Sequence, residues 1–444
     1  MSTRRIYDPI YGFIEITPLM QQIIDTLQFQ QLREFKQLGA AYFVYPSATH
    51  TRFEHSLGVS HLAGLVGKSL QKSQPELCIT DRKIELLRIA GLIHDIGHGP
   101  FSHLYDSPEI RGDEPEHEER GCETFKMMCK YYDFPLTKTE IELILDMVDP
   151  KGWKQHLWLN QIIANKISQI DVDKIDYIRR DCYHLGMPYV SGTEFTRIIS
   201  DMRVCKIVQN SFPVKFYISW PKNLQFEIYT LFSTRYRLHK EVYTHHTVRA
   251  YEYIIKNILI KIKSKGHKFN DLTDSVVTCL LHNEIREEQL MMATRNIPKI
   301  LEGTHDLIVK NTPETLDGLS EDWAQLNNIA FYGREGYYVD KVHIGFTSGR
   351  YGNPLENTFY YDTKPKHTNK TTIAKCIDPY SHSFLIPKNY SEIIIRIYTI
   401  PRIDGELSSS PLHDDKDTFN QWKILKKLVE FNNKQPKGKN SNSV

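Results

Sequence analysis

One stretch of ten residues, 94–103, constrains this chain more than any other and reads HDIGHGPFSH. His94 and Asp95 directly follow the apolar run 86–93, where unpaired polar side chains would be costly to bury. Imidazole nitrogens beside carboxylate oxygens form a ligand set that suits a hydrolytic divalent metal ion. Such an ion lowers the pKa of a bound water and supplies hydroxide near neutral pH. We therefore predict a metal site here, against the alternative of a helix end with a few surface histidines.

The composition is that of an ordinary globular protein of 444 residues, long enough for one large or two ordinary domains. A formal net charge of +2 gives no general case for binding nucleic acid or membranes. No apolar run is long enough to span a bilayer, and the N-terminal residues lack the apolar core of a secretory signal. The seven cysteines are scattered without a Cys-x-x-Cys pair, which indicates reduced thiols. We expect an intracellular protein, in the cytoplasm or the nucleus, with no membrane partner.

Hydrophobic spacing predicts a mainly α-helical body with a short β-hairpin, followed by a smaller mixed α+β lobe. Helices are expected at 17–38, 53–72, 81–95, 138–148, 159–183 and 222–264, with Thr17 and Asp81 as N-caps of the first and third. Alternation predicts the hairpin over 203–220, and β-like stretches follow at 337–347 and 392–400. The expected domains are the helical body 1–310, the α+β lobe 311–430 and a disordered tail 431–444.

A second segment that is rich in ionisable side chains is His50-Thr51-Arg52-Phe53-Glu54-His55. Arg52 and His55 are three residues apart, so they share one face of a helix. A guanidinium beside a histidine ligand suits a substrate that carries phosphate, because it binds phosphate oxygens bidentately. The alternative is a salt bridge at the start of a helix, between Arg52 and Glu54 or Glu34.

A third segment places Asp173, Tyr177 and Asp181 at intervals of four residues, on one stripe of a helix. Two acids and a tyrosine do not form a core face, and Lys174 and Arg180 lie on the flanks of the stripe. The alternative is a charged exterior helix. A separate apolar face on the same helix indicates that it is amphipathic and anchored.

Two further segments are candidates for a functional role only if they lie beside a metal site. Residues 113–119 look like an acidic solvated loop, in which His117 becomes a candidate proton donor. Residues 235–246 are basic and aromatic and could line a nucleotide pocket, although alone they describe an ordinary helix.

The order His55, His94-Asp95, Asp173 is the H…HD…D pattern of HD-domain metal phosphohydrolases. The surrounding sequence resembles one family more closely, the deoxynucleoside triphosphate triphosphohydrolases of the SAM-and-HD-domain type. The resembling stretches are DPIYG at 8–12, IIDT at 23–26, QFQQLR at 28–33, KQLG at 36–39, RFEHSLGV at 52–59 and DVDK at 171–174. The match is strong over about residues 4–250 and weak to about 400, and we expect no SAM domain ahead of it.

This resemblance implies an HD-domain fold and hydrolysis of a dNTP to a deoxynucleoside and inorganic triphosphate. It implies a divalent metal ion (Fe, Mn, Zn or Mg) held by four residues: His55, His94, Asp95 and Asp173. Three cationic side chains would neutralise the triphosphate: Arg52, Lys174 and Arg235.

The resemblance also implies which residues surround the reacting phosphate and the sugar. One of His98, His103 and His117 must protonate the departing 5′-oxygen, with His103 the first choice, His117 the second and Asp106 orienting that acid. Gln37, Leu38 and Asp181 would contact the sugar, with Asp181 on the 3′-hydroxyl, and Tyr177 would join the substrate site. Tyr243 would pack against C2′ and exclude ribose, because a hydroxyl forced against an aromatic wall loses its hydrogen bonds.

Regulation is implied as well. In the family a guanine nucleotide, GTP or dGTP, binds one allosteric site, a dNTP binds an adjacent one, and the enzyme assembles from dimers into a homotetramer, with Mg²⁺ on the bound nucleotides. The matching guanine-site residues are Asp25, Gln30 and Arg33, with Arg4 and Arg5 at phosphate-binding positions. The matching second-site residues are Tyr45, Arg197 and His245.

Two other functions remain open on the residues alone. Another HD hydrolase, a phosphodiesterase or nuclease, would keep the same ligands and act on cyclic nucleotides or single-stranded nucleic acid without discrimination at C2′. A nucleotide-responsive or nucleic-acid-binding scaffold with vestigial catalysis ranks last, because every metal position is intact.

Overall fold

The computed structural model describes residues 4–187, 192–207, 216–268, 272–275, 285–301, 306–310, 337–346, 353–363, 373–381 and 389–401. Helices dominate the part of the described chain that precedes residue 300, and short strands follow. The mainly α class is therefore confirmed. The expected tail 431–444 and the first part of the expected lobe lie outside the described residues, and the domain boundary near residue 310 stays a prediction.

The helices are α1 Pro18–Ile24, α2 Leu27–Gln30, α3 Arg52–Ser73, α4 Asp81–Ile93, α5 Pro108–Arg111, α6 His117–Tyr132, α7 Lys138–Val148, α8 Val172–Leu185, α9 Gly192–Ser200, α10 Gln225–Leu238, α11 His246–Ser264 and α12 Arg286–Ala293. The strands are β1 Arg4–Asp8, β2 Gly12–Ile16, β3 Arg203–Ile207, β4 Phe216–Pro221, β5 Lys299–Ile300, β6 Leu307–Lys310, β7 Tyr337–Gly345, β8 Phe359–Tyr361, β9 Ile373–Cys376 and β10 Ser391–Thr399.

The chain forms two compact units, each built from separate stretches of sequence. The first comprises Met1–Leu238, Ile255–Ile285 and Asn353–Ile386. It contains the antiparallel hairpin β1–β2 and a small closed barrel in the order β3-β4-β8-β9. The second comprises His239–Ile254, Arg286–Gly352 and Pro387–Val444, and its sheet is organised around β10, which pairs antiparallel with β5, β6 and β7.

Helix α3 is the central element of the first unit, with α4 and α8 packed against it. It is buried almost all round, with Leu57, Val59, Leu62 and Val66 among its buried side chains. Its first turn is fixed by a capping box, in which the Glu54 side chain accepts a hydrogen bond from the Thr51 backbone. The residues of the H…HD…D pattern lie at the start of α3, at the end of α4 and at the start of α8.

Three of the long helices predicted from spacing are wrong in extent. The helix expected over 17–38 ends at Ile24, because Thr26 bonds the Ile23 carbonyl and then caps α2. The helix expected over 159–183 begins only at Val172, where the Asp171 side chain caps it. The helix expected over 222–264 is divided into α10 and α11 by a π-helical turn at His239–Tyr243. Side-chain caps and a local π-turn override apolar periodicity here.

Other local predictions are confirmed. Helices α3 and α7 match the expected ranges within a residue, Thr17 caps α1, and β3 pairs antiparallel with β4. Two details need correction. Thr80, not Asp81, caps α4, and helix α6 occupies a stretch that begins inside the expected acidic loop.

Among the described residues, no helix is both long and apolar enough to cross a membrane. All six cysteines in the described part of the chain are unpaired thiols, as the scattered pattern predicts.

Candidate active site

Three helix termini bring the predicted metal ligands together. His55 lies in the first turn of α3, His94 immediately follows α4, and Asp173 lies in the first turn of α8. The Nε2 atoms of His55 and His94 are 3.2 Å apart. Oδ1 of Asp173 lies 3.1 Å from His55 Nε2 and 3.6 Å from His94 Nε2. A metal ion with ligand distances near 2.1 Å separates neighbouring ligand atoms by about 3.0–3.4 Å, so these spacings suit one ion.

The hydrogen bonds of the two imidazoles give an independent test of that fit. Nδ1–H of His55 donates to Asp176 Oδ2 over 2.8 Å, and Nδ1–H of His94 donates to the Gly91 carbonyl over 2.8 Å. The other nitrogen of a neutral imidazole then carries a lone pair. Two lone pairs and a carboxylate therefore converge without a donor among them, and a divalent cation satisfies such a set.

Asp95 lies at the edge of this cluster. Its Oδ1 is 3.4 Å from His94 Nε2 and its Oδ2 is 3.6 Å from His55 Nε2. Oδ2 also accepts a hydrogen bond from Arg52 Nη1 at 2.5 Å. Burial raises the pKa of Asp95, but Arg52 and His94 outweigh burial and hold that pKa well below its usual range. Asp95 is therefore an anion shared between the metal cluster and the guanidinium.

The charges of the cluster favour a cation. Burial lowers the pKa of His55, but Asp173 and Asp176 outweigh it and raise that pKa from 6.5 to about 10. A histidine in this position takes up a proton unless another cation is present. The Asp173 side chain is 32% exposed whereas that of His55 is 1% exposed, so the cluster opens to solvent on the side of Asp173.

A second cluster of imidazoles lies beside the first and consists of His98, His103, Asp106 and His117. One potential ligand atom from each of the four lies within 4.8 Å of the others. The rings of His98 and His117 are stacked 4.0 Å apart, and His98 Nε2 lies 3.3 Å from Asp95 Oδ1. The second cluster therefore joins the metal cluster through Asp95.

Within the second cluster Asp106 contacts His117. Its Oδ2 lies 2.7 Å from His117 Nδ1, and its Oδ1 accepts a hydrogen bond from Arg120 Nη2 at 2.9 Å. Burial, His117 and Arg52 lower the pKa of His103 to about 4, so this imidazole is neutral at pH 7. Gly97 lets α6 approach, since a Cβ there would lie 2.1 Å from the His117 carbonyl oxygen.

The loop that joins His98 to His103 is held in an uncommon conformation. Phe101 and Ser102 have φ values of 57° and 60°, in the left-handed region. The Phe101 N–H donates to Asp274 Oδ1 over 2.7 Å, and Arg52 Nε donates to Ser102 Oγ over 3.1 Å. The other oxygen of Asp274 accepts the Lys36 N–H at 2.8 Å. Asp274 thus ties the motif loop to the segment that contains Gln37.

Asp181, predicted to contact the sugar, is buried and bound by a histidine. His50 Nε2 donates to Asp181 Oδ1 over 2.7 Å. The His50 carbonyl accepts the Gln37 N–H at 2.9 Å, and the buried Oε1 of Gln37 has no hydrogen-bond partner within the described chain. Gln37 and Asp181 are therefore linked through His50, with Leu38 next in sequence and half-buried.

Two further cations lie on the elements that carry the metal ligands or beside them. Lys174 follows Asp173 and its Nζ lies 3.2 Å from Asp171 Oδ2. Arg235, near the end of α10, donates from Nε to the Tyr177 hydroxyl over 3.0 Å. Both are largely buried, so their charges are available to a bound anion with little screening by solvent.

The predicted guanine-site residues form one small group. Arg33 Nε donates to Gln30 Oε1 over 2.9 Å, and the Arg33 guanidinium lies 3.5 Å from the centre of the Phe53 ring. Gln30 Nε2 donates to the Ile24 carbonyl over 2.8 Å, next to Asp25, which accepts from Gln21 at 2.6 Å.

The remaining regulatory positions are spread over both units. Arg4 and Arg5 lie on β1, and Arg5 is 3.5 Å from Glu15 on β2. Tyr45 is in the first unit, and Arg197 donates to Glu227 over 2.9 Å. Tyr243 and His245 belong to the second unit, so their predicted roles stay predictions.

Sequence reasoning missed several residues that the geometry makes prominent. Asp176 was one acid of a charged segment, yet it is the acceptor for His55; its spacing of three from Asp173 was the available signal. The sequence shows His50 only as the first residue of the segment 50–55. Asp274 had no signal, because it is more than 170 residues from the Phe101 amide that it binds.

Comparison with known proteins identifies the family of this chain. The HD domain family matches residues 52–181, a range that contains every ligand of the metal cluster. The deoxynucleoside triphosphate triphosphohydrolase SAMHD1 of Mus musculus is 31% identical, over 95% of this chain and 72% of the mouse protein. The protein of the same name from Gallus gallus is 34% identical, over 95% of this chain and 75% of its own. The SAMHD1 homolog from Dictyostelium discoideum is 33% identical, over 89% of this chain and 77% of the Dictyostelium protein. The chain therefore belongs to the SAMHD1 family of deoxynucleoside triphosphate triphosphohydrolases.

Proposed function

We propose that this protein hydrolyses dNTPs to a deoxynucleoside and inorganic triphosphate at the cluster of His55, His94, Asp95 and Asp173. The convergence of two imidazole lone pairs and the Asp173 carboxylate on one point carries the proposal. A divalent ion bound there would lower the pKa of a water molecule and polarise a phosphate oxygen. The donor set suits Fe, Mn, Zn or Mg, and Mg²⁺ would accompany the nucleotides.

The triphosphate is bound by the cations around the cluster. Arg52 offers the planar guanidinium that suits phosphate oxygens, and its bonds to Asp95 and Ser102 fix its position. Lys174 and Arg235 approach from α8 and α10. Tyr177 holds the Arg235 guanidinium through its hydroxyl and so orients that charge.

The second cluster supplies the proton that the leaving group needs. When water attacks the α-phosphorus, the bond to the 5′-oxygen breaks and that oxygen must gain a proton. The contact of Asp106 with His117 favours His117 as donor over His103, because a carboxylate at Nδ1 fixes the orientation of the ring. His98 stacks on His117 and positions its ring.

The sugar is recognised by the group around His50. Asp181 accepts the 3′-hydroxyl, while Gln37 and Leu38 contact the ring, and the unpartnered Gln37 oxygen is available to a ligand.

Regulation is a further part of the proposal. GTP or dGTP binds at Asp25, Gln30 and Arg33, with its phosphates on Arg4 and Arg5. A dNTP binds at Tyr45 and Arg197, and Arg197 must then leave Glu227. The active species is a homo-oligomer, from dimer to tetramer, in the cytoplasm or nucleus, a setting with which the unpaired thiols agree.

Product analysis tests the function. Purified protein is incubated with dGTP and Mg²⁺ or Mn²⁺, with dATP in the presence and absence of GTP, and with GTP alone, and the products are resolved by ion exchange. Deoxynucleoside and intact triphosphate from dGTP, with no turnover of GTP, are expected. Diphosphate or monophosphate products would contradict the proposal, and hydrolysis of cyclic nucleotides or single-stranded nucleic acid would establish the alternative.

A further inference from the structure

A chain of buried ion pairs connects the N-terminal hairpin to the metal cluster. Asp8, at the end of β1, lies with Oδ2 2.9 Å from Arg180 Nη1. Arg180 donates from Nε to Asp176 Oδ2 over 2.9 Å and from Nη2 to Asp176 Oδ1 over 3.1 Å. Asp176 Oδ2 also accepts the Nδ1–H of His55 at 2.8 Å. We call Asp8, Arg180, Asp176 and His55 the relay.

The relay is shielded from water along its whole length. The side chains of Arg180 and Asp176 are fully buried, and those of Asp8 and His55 are 3% and 1% exposed. Charges in such surroundings act on each other with little screening. A structural ion pair alone does not require this arrangement, since buried pairs add little stability over apolar replacements.

The packing leaves no freedom for the relay to shift. A Cβ atom at Gly58 of α3 would lie 1.9 Å from Asp176 Oδ1 and 2.5 Å from Arg180 Nη2. Only glycine at this position allows the carboxylate and guanidinium to lie against the helix that carries His55. The His55 ring is therefore fixed from the side opposite the metal cluster.

We propose that Asp8, Arg180 and Asp176 are positioning residues for the metal ligand His55, so that the N-terminal hairpin is a working part of the metal site. This inference rests on the proposed metal role of His55. Asp176 fixes the tautomer that directs the Nε2 lone pair to the metal, and it increases the basicity of the ring. Arg180 neutralises Asp176, and Asp8 neutralises Arg180 in turn. Without Asp8, the guanidinium draws the Asp176 charge away from His55.

Asp8 also allows a clean substitution. Its Oδ1 accepts the N–H groups of Ile10 and Tyr11 at 2.8 and 3.0 Å and forms the turn between β1 and β2, whereas Oδ2 contacts Arg180. Asp8→Asn keeps an oxygen for the turn and sets an NH₂ group against the guanidinium. Asp8→Ser keeps a turn acceptor as well and removes the contact with Arg180.

The test measures binding of Co²⁺ alone to chelator-treated protein, by competition with a chromophoric chelator and by the d–d absorption of the bound ion. Substitution of a residue that hydrogen-bonds a metal ligand weakens metal binding about 10- to 100-fold, and we expect this loss for Asp176→Asn. For the more distant Asp8→Asn and Asp8→Ser we expect a loss of about 3- to 10-fold in the same direction. The Asp176 and Asp8 variants should all alter the Co²⁺ spectrum, because Asp176 then supports the Nε2 lone pair of the ligand His55 less strongly.

Glu15→Gln is the matched control, because Glu15 lies on the same hairpin and its pair with Arg5 is exposed. It should bind Co²⁺ like the parent, and circular dichroism checks that all variants are folded. If the folded Asp8 variants keep the parental Co²⁺ affinity and spectrum, the role of the relay is overturned, whereas the proposed metal site is not affected. A parent protein that binds no Co²⁺ would overturn both the proposed metal site and the relay.

Discussion

The Nε2 atom of His50 lies 2.7 Å from Oδ1 of Asp181, and both side chains are almost completely buried. If Asp181 accepts the 3′-hydroxyl of the substrate, His50 holds that carboxylate in place. His50→Leu removes the donor, and the loss of a hydrogen bond to a buried charge costs about 1.5–3 kcal/mol. We expect kcat/KM for dGTP to fall about 10- to 100-fold, as measured by steady-state kinetics.

The substrate itself provides the control for this prediction. The 2′,3′-dideoxy analogue of dGTP lacks the hydroxyl, so His50→Leu should reduce its kcat/KM much less. His50→Gln keeps an N–H donor while also losing the stacking on His184, whose ring is 4.3 Å away, and should retain most of the parental activity. Equal losses for both substrates would show that His50 acts on the fold and not on sugar recognition.

The helix ends that carry His55 and His94-Asp95 were predictable, because an apolar run borders each of them. Asp173 lies inside the helix expected over 159–183, and only the H…HD…D order of the resembling family singled it out. His94 and Asp95 follow α4, and Asp173 falls in the first turn of α8, so helix packing alone brings them together. Helix α3 was predictable for the same reason. Periodic burial and local capping are the information that a single sequence displays most directly.

The long-range contacts that surround the site were not predictable. Asp274 reaches the Phe101 amide and His50 reaches Asp181 across 173 and 131 residues, and neither pair leaves a periodic trace. The helix expected over 17–38 failed because one hydroxyl, that of Thr26, outweighed a consistent apolar pattern. Long-range pairing and single caps depend on tertiary structure that local spacing does not encode.

Removal of one metal ligand should abolish turnover while the fold persists. His94→Gln removes a candidate ligand nitrogen but keeps a polar side chain of similar length. We expect dGTP hydrolysis to disappear and bound metal, measured by mass spectrometry, to fall well below one ion per chain. Asp146→Asn, which disrupts a half-buried pair with Lys154 outside the cluster, is the control and should keep both turnover and bound metal. Undiminished turnover in His94→Gln would refute the ligand assignment.

The metal-free protein should lose stability at alkaline pH because of His55. Its folded-state pKa is raised from 6.5 to about 10. Its contribution to the free energy of unfolding is therefore fully present below pH 6.5 and is lost as pH rises through about 10. Urea unfolding of chelator-treated protein between these limits should show this decline in the parent and a smaller one in His55→Gln.

The same protonation predicts the opposite pH dependence for metal binding. A ligand imidazole must be neutral, so binding at pH 7 should release a proton from His55, and metal affinity should rise with pH. Calorimetric titration in buffers of different ionisation enthalpy measures the proton directly. A released-proton count near zero at pH 7 would contradict the shifted pKa of His55.

The identity of the proton donor can be tested by changing the leaving atom. A dGTP analogue with sulfur in place of the bridging 5′-oxygen releases a thiolate, which needs no proton because a thiol has a pKa of about 8.5. Loss of a general acid lowers kcat about 10²- to 10⁴-fold, and we expect this for His117→Gln with dGTP but not with the sulfur analogue.

His103→Gln separates the two candidates in the same assay. The contact of Asp106 assigns the donor role to His117, so we expect His103 to act only by packing against the other rings. Loss of His103 should therefore reduce turnover of dGTP and of the sulfur analogue alike. If His103→Gln, and not His117→Gln, is rescued by sulfur, the roles of the two histidines are exchanged.

Asp25 should determine whether GTP activates the enzyme. Asp25 is the C-cap residue of helix α1 and follows Ile24, whose carbonyl accepts a hydrogen bond from Gln30; Gln30 in turn accepts from Arg33. A carboxylate accepts hydrogen bonds from the N1–H and amino group of guanine, and their loss costs about 1.5–3 kcal/mol. Asp25→Ala should therefore raise the GTP concentration for half-maximal dATP hydrolysis about 10- to 100-fold while leaving the metal content unchanged.

The control is Glu34→Gln, which replaces a nearby exposed carboxylate and should respond to GTP like the parent. Identical GTP activation of Asp25→Ala and the parent would remove the guanine site from this position, because no other change in the variant could restore those two hydrogen bonds.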